Sequence, residues 1–290
     1  MVSDFSSAFD LVRPSVVGLG FLTKGGFDII GTGFIVSEQG WILTNRHVLE
    51  PLLAPHNGIQ GVRPDAVAVL FAQNLPGEQY RDVVGLLGGR LQEISFPPEP
   101  ATGPPPAPPP LRGLEPSAMV RPLPPDIGLC RISLADCPRE VLPLRPLRLS
   151  AAPAKVGSLV AILGFPQGLT LPDDFPAAAA LQLSPLLQVG HIAAALPFSA
   201  LTNPENYVLD LYVNGGSSGS PLFTPEGEVV GVVYATRQGF EPLVQLSAEG
   251  EPKEIPHTGT YVPSALGLAV PATRIDRDWL QQIHESASSP

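Results

Sequence analysis

The chain has 290 residues, 44% of them hydrophobic, which is enough for one large domain or two modest ones with a sizeable core. Its formal net charge of −10 argues against non-specific binding to nucleic acid or to an anionic membrane. No apolar stretch is long enough to span a bilayer, so no membrane partner is expected.

Two cysteines are present, Cys130 and Cys137. They either form one disulfide, as in a secreted protein, or remain two unpaired core thiols in a reducing compartment. The start, Met1-Val2-Ser3-Asp4-Phe5, lacks a basic region followed by an apolar run. A cytoplasmic location is therefore expected, although a chain trimmed of its leader would look the same. Helical periodicity is scarce, and short β-prone runs broken by Gly and Pro are frequent, which favours barrels or sandwiches.

Residues 5–12 are predicted as a short helix leading to Pro14, and 15–22 as a strand. A second strand at 31–36 turns through Gln39-Gly40 into a third at 41–44. The Gly31-Thr32-Gly33 run is no nucleotide loop, because a strand and not a helix follows it. His47 falls just past this hairpin, where it is either a rigidly held base or a surface histidine. His56, His191, His257 and His284 lack metal-ligand spacing with it or with one another, so neither metal nor cofactor is expected.

Residues 66–71 and 80–86 are the next strand candidates. Composition then breaks over residues 96–125, which include Pro104-Pro105-Pro106-Ala107-Pro108-Pro109-Pro110. Proline this dense neither donates to a ladder nor continues a helix. The segment is expected to be an exposed polyproline-like insertion, either a spacer or a ligand for a proline-recognition domain. Asp126 stands directly after it, at the mouth of the apolar run 127–132. Buried there, its carboxylate needs a hydrogen-bonding partner, and a histidine N–H would serve. Asp82 competes for that role with less apolar neighbours, and the plain alternative for Asp126 is a strand-start cap.

A proline-rich stretch at 138–153 joins two halves. The second half offers strands at 156–166, 187–192, 207–213, 229–234 and 267–271, then a helix at 273–283 with Trp279, Leu280 and Ile283 on one apolar face. Each half holds about six strand candidates, which suits two small barrels. Between two of these strands lies Gly216-Ser217-Ser218-Gly219-Ser220-Pro221. Glycines on both sides of a serine permit a turn too tight for bulky residues. Such a turn can aim successive N–H groups into one space and stabilise an oxyanion, with the serine as nucleophile. The plain alternative is a polar hairpin loop.

His47, Asp126 and Ser218 occur in the order of the triad on the chymotrypsin-type double barrel. The local sequences also match. Residues 32–36 and 42–48 resemble the histidine segment of the HtrA/Deg branch of trypsin-like serine peptidases. Asp126-Ile127-Gly128-Leu129, residues 162–169, residues 210–221 and Gly227-Glu228-Val229-Val230-Gly231 resemble further motifs of that branch in the same order. Ser217 stands where the branch usually has Asn, and Ser220 where it has a second Gly. The Ser-Gly-Ser-Pro ending also resembles glutamyl endopeptidases. No PDZ domain is expected after Ile283.

The resemblance implies an all-β fold of two six-stranded antiparallel barrels with a short C-terminal helix. The first barrel would span residues 1–145 and the second 146–290. It implies a serine endopeptidase with Ser218 as nucleophile, His47 as base and Asp126 as orienter. The N–H groups of Gly216 and Ser218 would form the oxyanion hole. Substrate would meet Leu211, Tyr212, Val213, Val232, Val233, Tyr234 and Ala235, none of them charged, so a small or medium apolar residue is expected before the cut. The expected partners are a protein or peptide substrate and a regulatory protein; the alternative is an inactive peptide-binding module or adaptor of the same fold. Ser217 carries no charge to receive an N-terminal ammonium freed by cleavage, so no zymogen-type activation at Val16 is expected.

Overall fold

A computed structural model describes residues 4–24, 26–56, 59–71, 86–98, 125–137, 142–166, 169–170, 185–197, 203–246 and 252–287. The proline run at 104–110, Asp82 and most of the expected strand at 80–86 lie outside them.

A short helix, α1 (Ser6–Val12), passes through a 3-10 turn at Pro14 into β1 (Val16–Thr23). β2 (Gly26–Ile35) and β3 (Trp41–Thr44) follow, then the one-turn helix α2 (Arg46–Leu49). β4 (Leu53–His56) and β5 (Ile59–Val62) make a separate hairpin. The first half continues with β6 (Ala66–Phe71), β7 (Leu86–Ser95) and β8 (Gly128–Ile132). These strands run β1-β6-β7-β8-β3-β2, and β2 returns to pair with β1, which closes a six-stranded barrel.

The second half contains β9 (Leu159–Gly164), the two-residue β10 (Leu169–Thr170), β11 (Leu186–Leu196) and β12 (Asn206–Leu209). β13 (Pro221–Phe223), β14 (Val229–Leu246), β15 (Pro252–Pro271) and α3 (Arg277–Ala287) complete it. β11-β12-β15-β14-β13-β9 form a second closed barrel, and β10 pairs with β2 of the first.

The apolar runs read continuously, without polar alternation, because the barrel strands are covered on both faces. Val17 and Leu19 of β1, Ile42 of β3 and Ala68 and Leu70 of β6 fill the first barrel. Their neighbours Val16, Trp41, Leu43, Val67 and Val69 face a core shared with Phe165, Phe223, Val232 and Val270 of the second half. The two-residue period of a strand thus splits each run between a barrel interior and the seam between barrels. Each large side chain buried in this way contributes roughly 1.5–3 kcal/mol.

The two terminal helices cross over. Phe5, just before α1, stacks edge-on against Phe223 of the second barrel at a ring separation of 5.8 Å. Trp279 of α3 donates from Nε1 to Ser95 Oγ of the first barrel at 3.2 Å. Arg277 Nη2 also donates to the Ser150 carbonyl, at 2.6 Å, on the segment between the barrels. Among the described residues no helix is long and apolar enough to cross a membrane.

Cys130 and Cys137 are both free and buried. Burial pushes the Cys130 thiol far above the usual range, so thiolate is scarce there. A disulfide reagent added to native protein should leave Cys130 unmodified, and both thiols should titrate in denaturant. Fewer than two titrated thiols in denaturant would contradict the free pair.

Candidate active site

The register of β3 on β8 builds the first half of the site. Thr44 pairs with Gly128, so the C-terminal end of β3 and the residues entering β8 lie side by side. Asn45, extended at the start of α2, donates from Nδ2 to the Asp126 carbonyl at 2.7 Å. This holds Asp126 against the first turn of α2. There its Oδ1 accepts the His47 backbone N–H at 3.1 Å, and its Oδ2 bonds His47 Nδ1. A proton on Nδ1 satisfies that bond and leaves Nε2 as the free base of the ring. The His47 and Asp126 side chains are 46% and 29% exposed, so the imidazole can be reached from outside.

The turn from residue 214 to 220 builds the second half. Gly216 and Gly219 have φ of +86° and +88°, which L side chains rarely adopt. Ser217 N–H donates to Asn214 O at 3.0 Å, Ser220 N–H to Ser217 O at 3.1 Å, and Gly219 N–H to Val233 O on β14 at 2.7 Å. Among the described residues, nothing accepts a hydrogen bond from the N–H of Gly216 or Ser218. Among the described residues the turn therefore offers two N–H groups without an acceptor, one of them on Ser218, whose hydroxyl is partly exposed while those of Ser217 and Ser220 are buried.

Thr32 of β2 docks this turn onto the first barrel by donating its N–H to the Ser218 carbonyl at 2.8 Å. Gly31 next to it lies against Val48, the residue after His47. Tyr234 bridges the two halves from the other side. Its carbonyl accepts the Ser218 hydroxyl at 3.2 Å. Burial raises the pKa of its phenol, and the negative Asp126 nearby raises it further. His47 and Asp126 are thus bonded to each other, and both Thr32 and Tyr234 connect the Ser218 turn to the part of the first barrel that carries them. No hydrogen bond joins Ser218 Oγ to the His47 ring, however; the hydroxyl is turned towards Tyr234.

The seven residues expected to meet substrate divide into two groups. Leu211, Val213 and Val233 pack inside the second barrel, and Val232 packs in the shared core. Tyr212 is 47% exposed; Tyr234, whose carbonyl accepts the Ser218 hydroxyl, and Ala235 after it are half-buried.

Sequence reasoning missed a second His–Asp pair. His191 on β11 donates its backbone N–H to Asp210 Oδ1, and its Nδ1 lies 3.0 Å from Oδ2. Burial alone would raise the Asp210 pKa, but the bonds from His191 outweigh it and hold the carboxyl below its usual range. The pair pins the chain where it enters the Ser218 turn. Its only sequence signal was a lone histidine in an alternating strand. Val16 lies in β1, paired with Phe34 and 1% exposed. Ser217 Oγ is buried and has no hydrogen-bond partner among the described residues.

Among the described residues no three His, Cys, Asp or Glu side chains gather closely enough to hold a metal ion. A cleft of about 430 Å³ lined by Leu11, Arg145, Arg148, Glu226 and Glu228 lies apart from His47 and Ser218.

Residues 31–232, from β2 into β14, match the family model of the trypsin-like peptidase domain. The chain belongs to this family. As a trypsin-like peptidase domain it shares its fold with an HtrA-type protease, AlgW, solved with a decapeptide: the TM-score is 0.51 at 15% identity, over 98% of this chain and 67% of that one. AlgW with a tripeptide gives 0.48 at 17% identity, over 98% and 63%. Rv3671c from M. tuberculosis H37Rv, in an inactive form, gives 0.49 at 17% identity, over 100% and 93%. The peptidase domain thus spans about two thirds of the AlgW chains. No curated protein sequence matches it.

Proposed function

We propose that the chain is a serine endopeptidase that cuts peptide bonds through an acyl-enzyme. The observation that carries this is the double hold of the Asp126 carboxylate on the backbone N–H and Nδ1 of His47, which leaves Nε2 free as a base at the seam where Ser218 lies. The Ser218 hydroxyl leaves the Tyr234 carbonyl, passes its proton to His47 Nε2 and attacks the scissile carbonyl carbon. The oxyanion that forms takes hydrogen bonds from the N–H groups of Gly216 and Ser218. His47, now an imidazolium stabilised by Asp126, gives its proton to the leaving amine. Water, deprotonated by His47 in turn, hydrolyses the ester and frees Ser218. Catalytic hydrogen bonds are often long or misaligned without substrate and tighten when it binds, which accommodates the Ser218–Tyr234 bond.

Residues 1–145 and 146–290 serve as the two barrel units, since the first barrel's strands end at Ile132 and the second's begin at Leu159. The two free, buried thiols fit a reducing, intracellular compartment, and a regulated role there, with a protein partner, accompanies that assignment.

The residues before the cut are proposed to be small or medium and apolar. Tyr234 stands against Ser218, and its expected companions Tyr212, Ala235 and the valines of the two cores carry no charge. An Arg, Lys or Glu side chain buried there unpaired would cost several kcal/mol. Digestion of a mixed peptide library, read by mass spectrometry, should give ends after residues such as Ala, Val or Leu. Ends dominated by Arg or Lys would contradict the pocket. The hydroxyl's turn towards Tyr234 favours one rival, a domain that binds peptides without cutting them. Library peptides retained uncut by the protein would support that rival.

A further inference from the structure

We propose that Thr32 is a positioning residue that holds the Ser218 turn with its two N–H donors facing substrate; this rests on the serine peptidase assignment. Thr32 is wholly buried on β2. Its Oγ1 accepts the Phe165 N–H at 3.1 Å and donates to the Gly216 carbonyl at 2.7 Å. Because one side of the hydroxyl is taken by a donor, its own proton points at Gly216. Its backbone N–H takes the Ser218 carbonyl at 2.8 Å. Its carbonyl is itself fixed, accepting Thr44 Oγ1 at 2.6 Å.

One side chain and one peptide group of a single residue therefore capture the carbonyls of both Gly216 and Ser218. These are the same two residues whose N–H groups have no acceptor among the described residues. Each carbonyl shares a planar peptide group with the next residue's N–H, so the two bonds fix the 216–217 and 218–219 peptides; these bracket the 217–218 peptide, which carries the Ser218 N–H, and the first adjoins the 215–216 peptide, which carries the Gly216 N–H. Gly216 needs such an anchor, because glycine reaches φ of either sign at little cost and the peptide groups flanking it can rotate. The Thr32 hydroxyl selects one arrangement from this small ensemble, and its effect on rate is the fraction of molecules it keeps there. The relay also ties the turn to Phe165, at the end of β9, so the second barrel's own loop feels whether the turn is set. Gly164 leaves room for it: a Cβ there would stand 2.9 Å from Thr32 Oγ1.

Thr32→Val keeps the shape and removes the hydroxyl, leaving the Gly216 carbonyl and the Phe165 N–H without that partner. Thr32→Ser keeps the hydroxyl. Three readouts separate positioning from mere support: kcat against KM on one peptide, affinity for a peptide aldehyde whose hemiacetal occupies the oxyanion hole, and rescue by serine. T32V should lower kcat about 10- to 100-fold, at or below the roughly 100- to 1000-fold of a donor lost outright, because the donors stay in place and only their positioning loosens. KM should change little, aldehyde affinity should fall by a similar factor, and T32S should recover to within about threefold of wild type. If T32V does not fold, T32A carries the same expectation. Wild-type kcat and aldehyde affinity in the hydroxyl-free variants, or a T32S protein as slow as T32V, would overturn the role of Thr32 alone. A wild-type protein with no turnover and no aldehyde binding would overturn the peptidase assignment and this inference with it.

Discussion

Ser218→Ala will leave a folded protein with no measurable peptide hydrolysis, a loss of about 10⁵- to 10⁶-fold in kcat. The hydroxyl is the proposed nucleophile, and among the described residues the N–H groups of Gly216 and Ser218 have no acceptor and the hydroxyl's one hydrogen bond is to the Tyr234 carbonyl. Removing it costs the fold little, because that one weak bond is all that is lost. Thr32 N–H still takes the residue 218 carbonyl, and Gly219 N–H still takes Val233. His47→Ala should fall by a similar factor, and the double variant hardly further, because the members of a triad act as one unit. The check is kcat of the three variants beside circular dichroism melts. An S218A protein with wild-type turnover would place the nucleophile elsewhere.

Gly219→Ala will cost both stability and activity. The glycine has φ of +88°, and an added Cβ would sit 1.8 Å from the Thr32 carbonyl oxygen and 2.3 Å from Thr44 Oγ1. A side chain in the left-handed region costs about 1–2 kcal/mol. The clash is with backbone, which cannot swing aside as a flexible side chain would, and overpacking of this kind adds about 1–3 kcal/mol. At roughly 2–4 °C per kcal/mol, the melting temperature should fall by about 4–20 °C. The turn must also move away from Thr32, so the Thr32 N–H bond to the Ser218 carbonyl and the bond from Thr44 are strained together. Turnover should drop with the melt, including at temperatures where the variant is fully folded. A G219A protein with the wild-type melt and turnover would mean that the turn is not seated on β2 in this way.

Much of this arrangement is legible in the sequence because burial drives it. Trp41-Ile42-Leu43-Thr44 and the run 127–132 announce their strands, since both faces are largely covered and most positions favour apolar or β-branched residues. Trp279, Leu280 and Ile283 mark α3 by their spacing, and Trp279 and Leu280 are buried. Other elements hide. β7 contains Gly88-Gly89, and β4 contains Pro55, residues that lower strand propensity and are tolerated because the pairing is imposed from outside. α2 has four residues, too few for any helical period. β14 and β15 pair far beyond the expected 229–234 and 267–271, through Pro242 and Pro263, with register shifts that absorb the irregularity.

At the site, residue type and order pointed to His47, Asp126 and Ser218, but their hydrogen bonds depend on strand register and side-chain rotamers that a linear pattern does not contain. The hydroxyl of Ser218 resting on Tyr234, the hold of Asn45 on Asp126 and the relay through Thr32 are all of this kind. Val232 and Val233 show the converse. They stand next to the site in sequence, yet the alternation of β14 turns them into two different cores, while Tyr234 after them reaches Ser218.

The most direct test of the central claim is the intact mass and peptide map of the protein after treatment with a fluorophosphonate, which esterifies a serine only when a neighbouring base and oxyanion donors activate it. One adduct is expected, on Ser218, absent from S218A and strongly slowed in H47A. Full recovery of unmodified wild-type protein, or an adduct mapped to any other residue, would contradict the account.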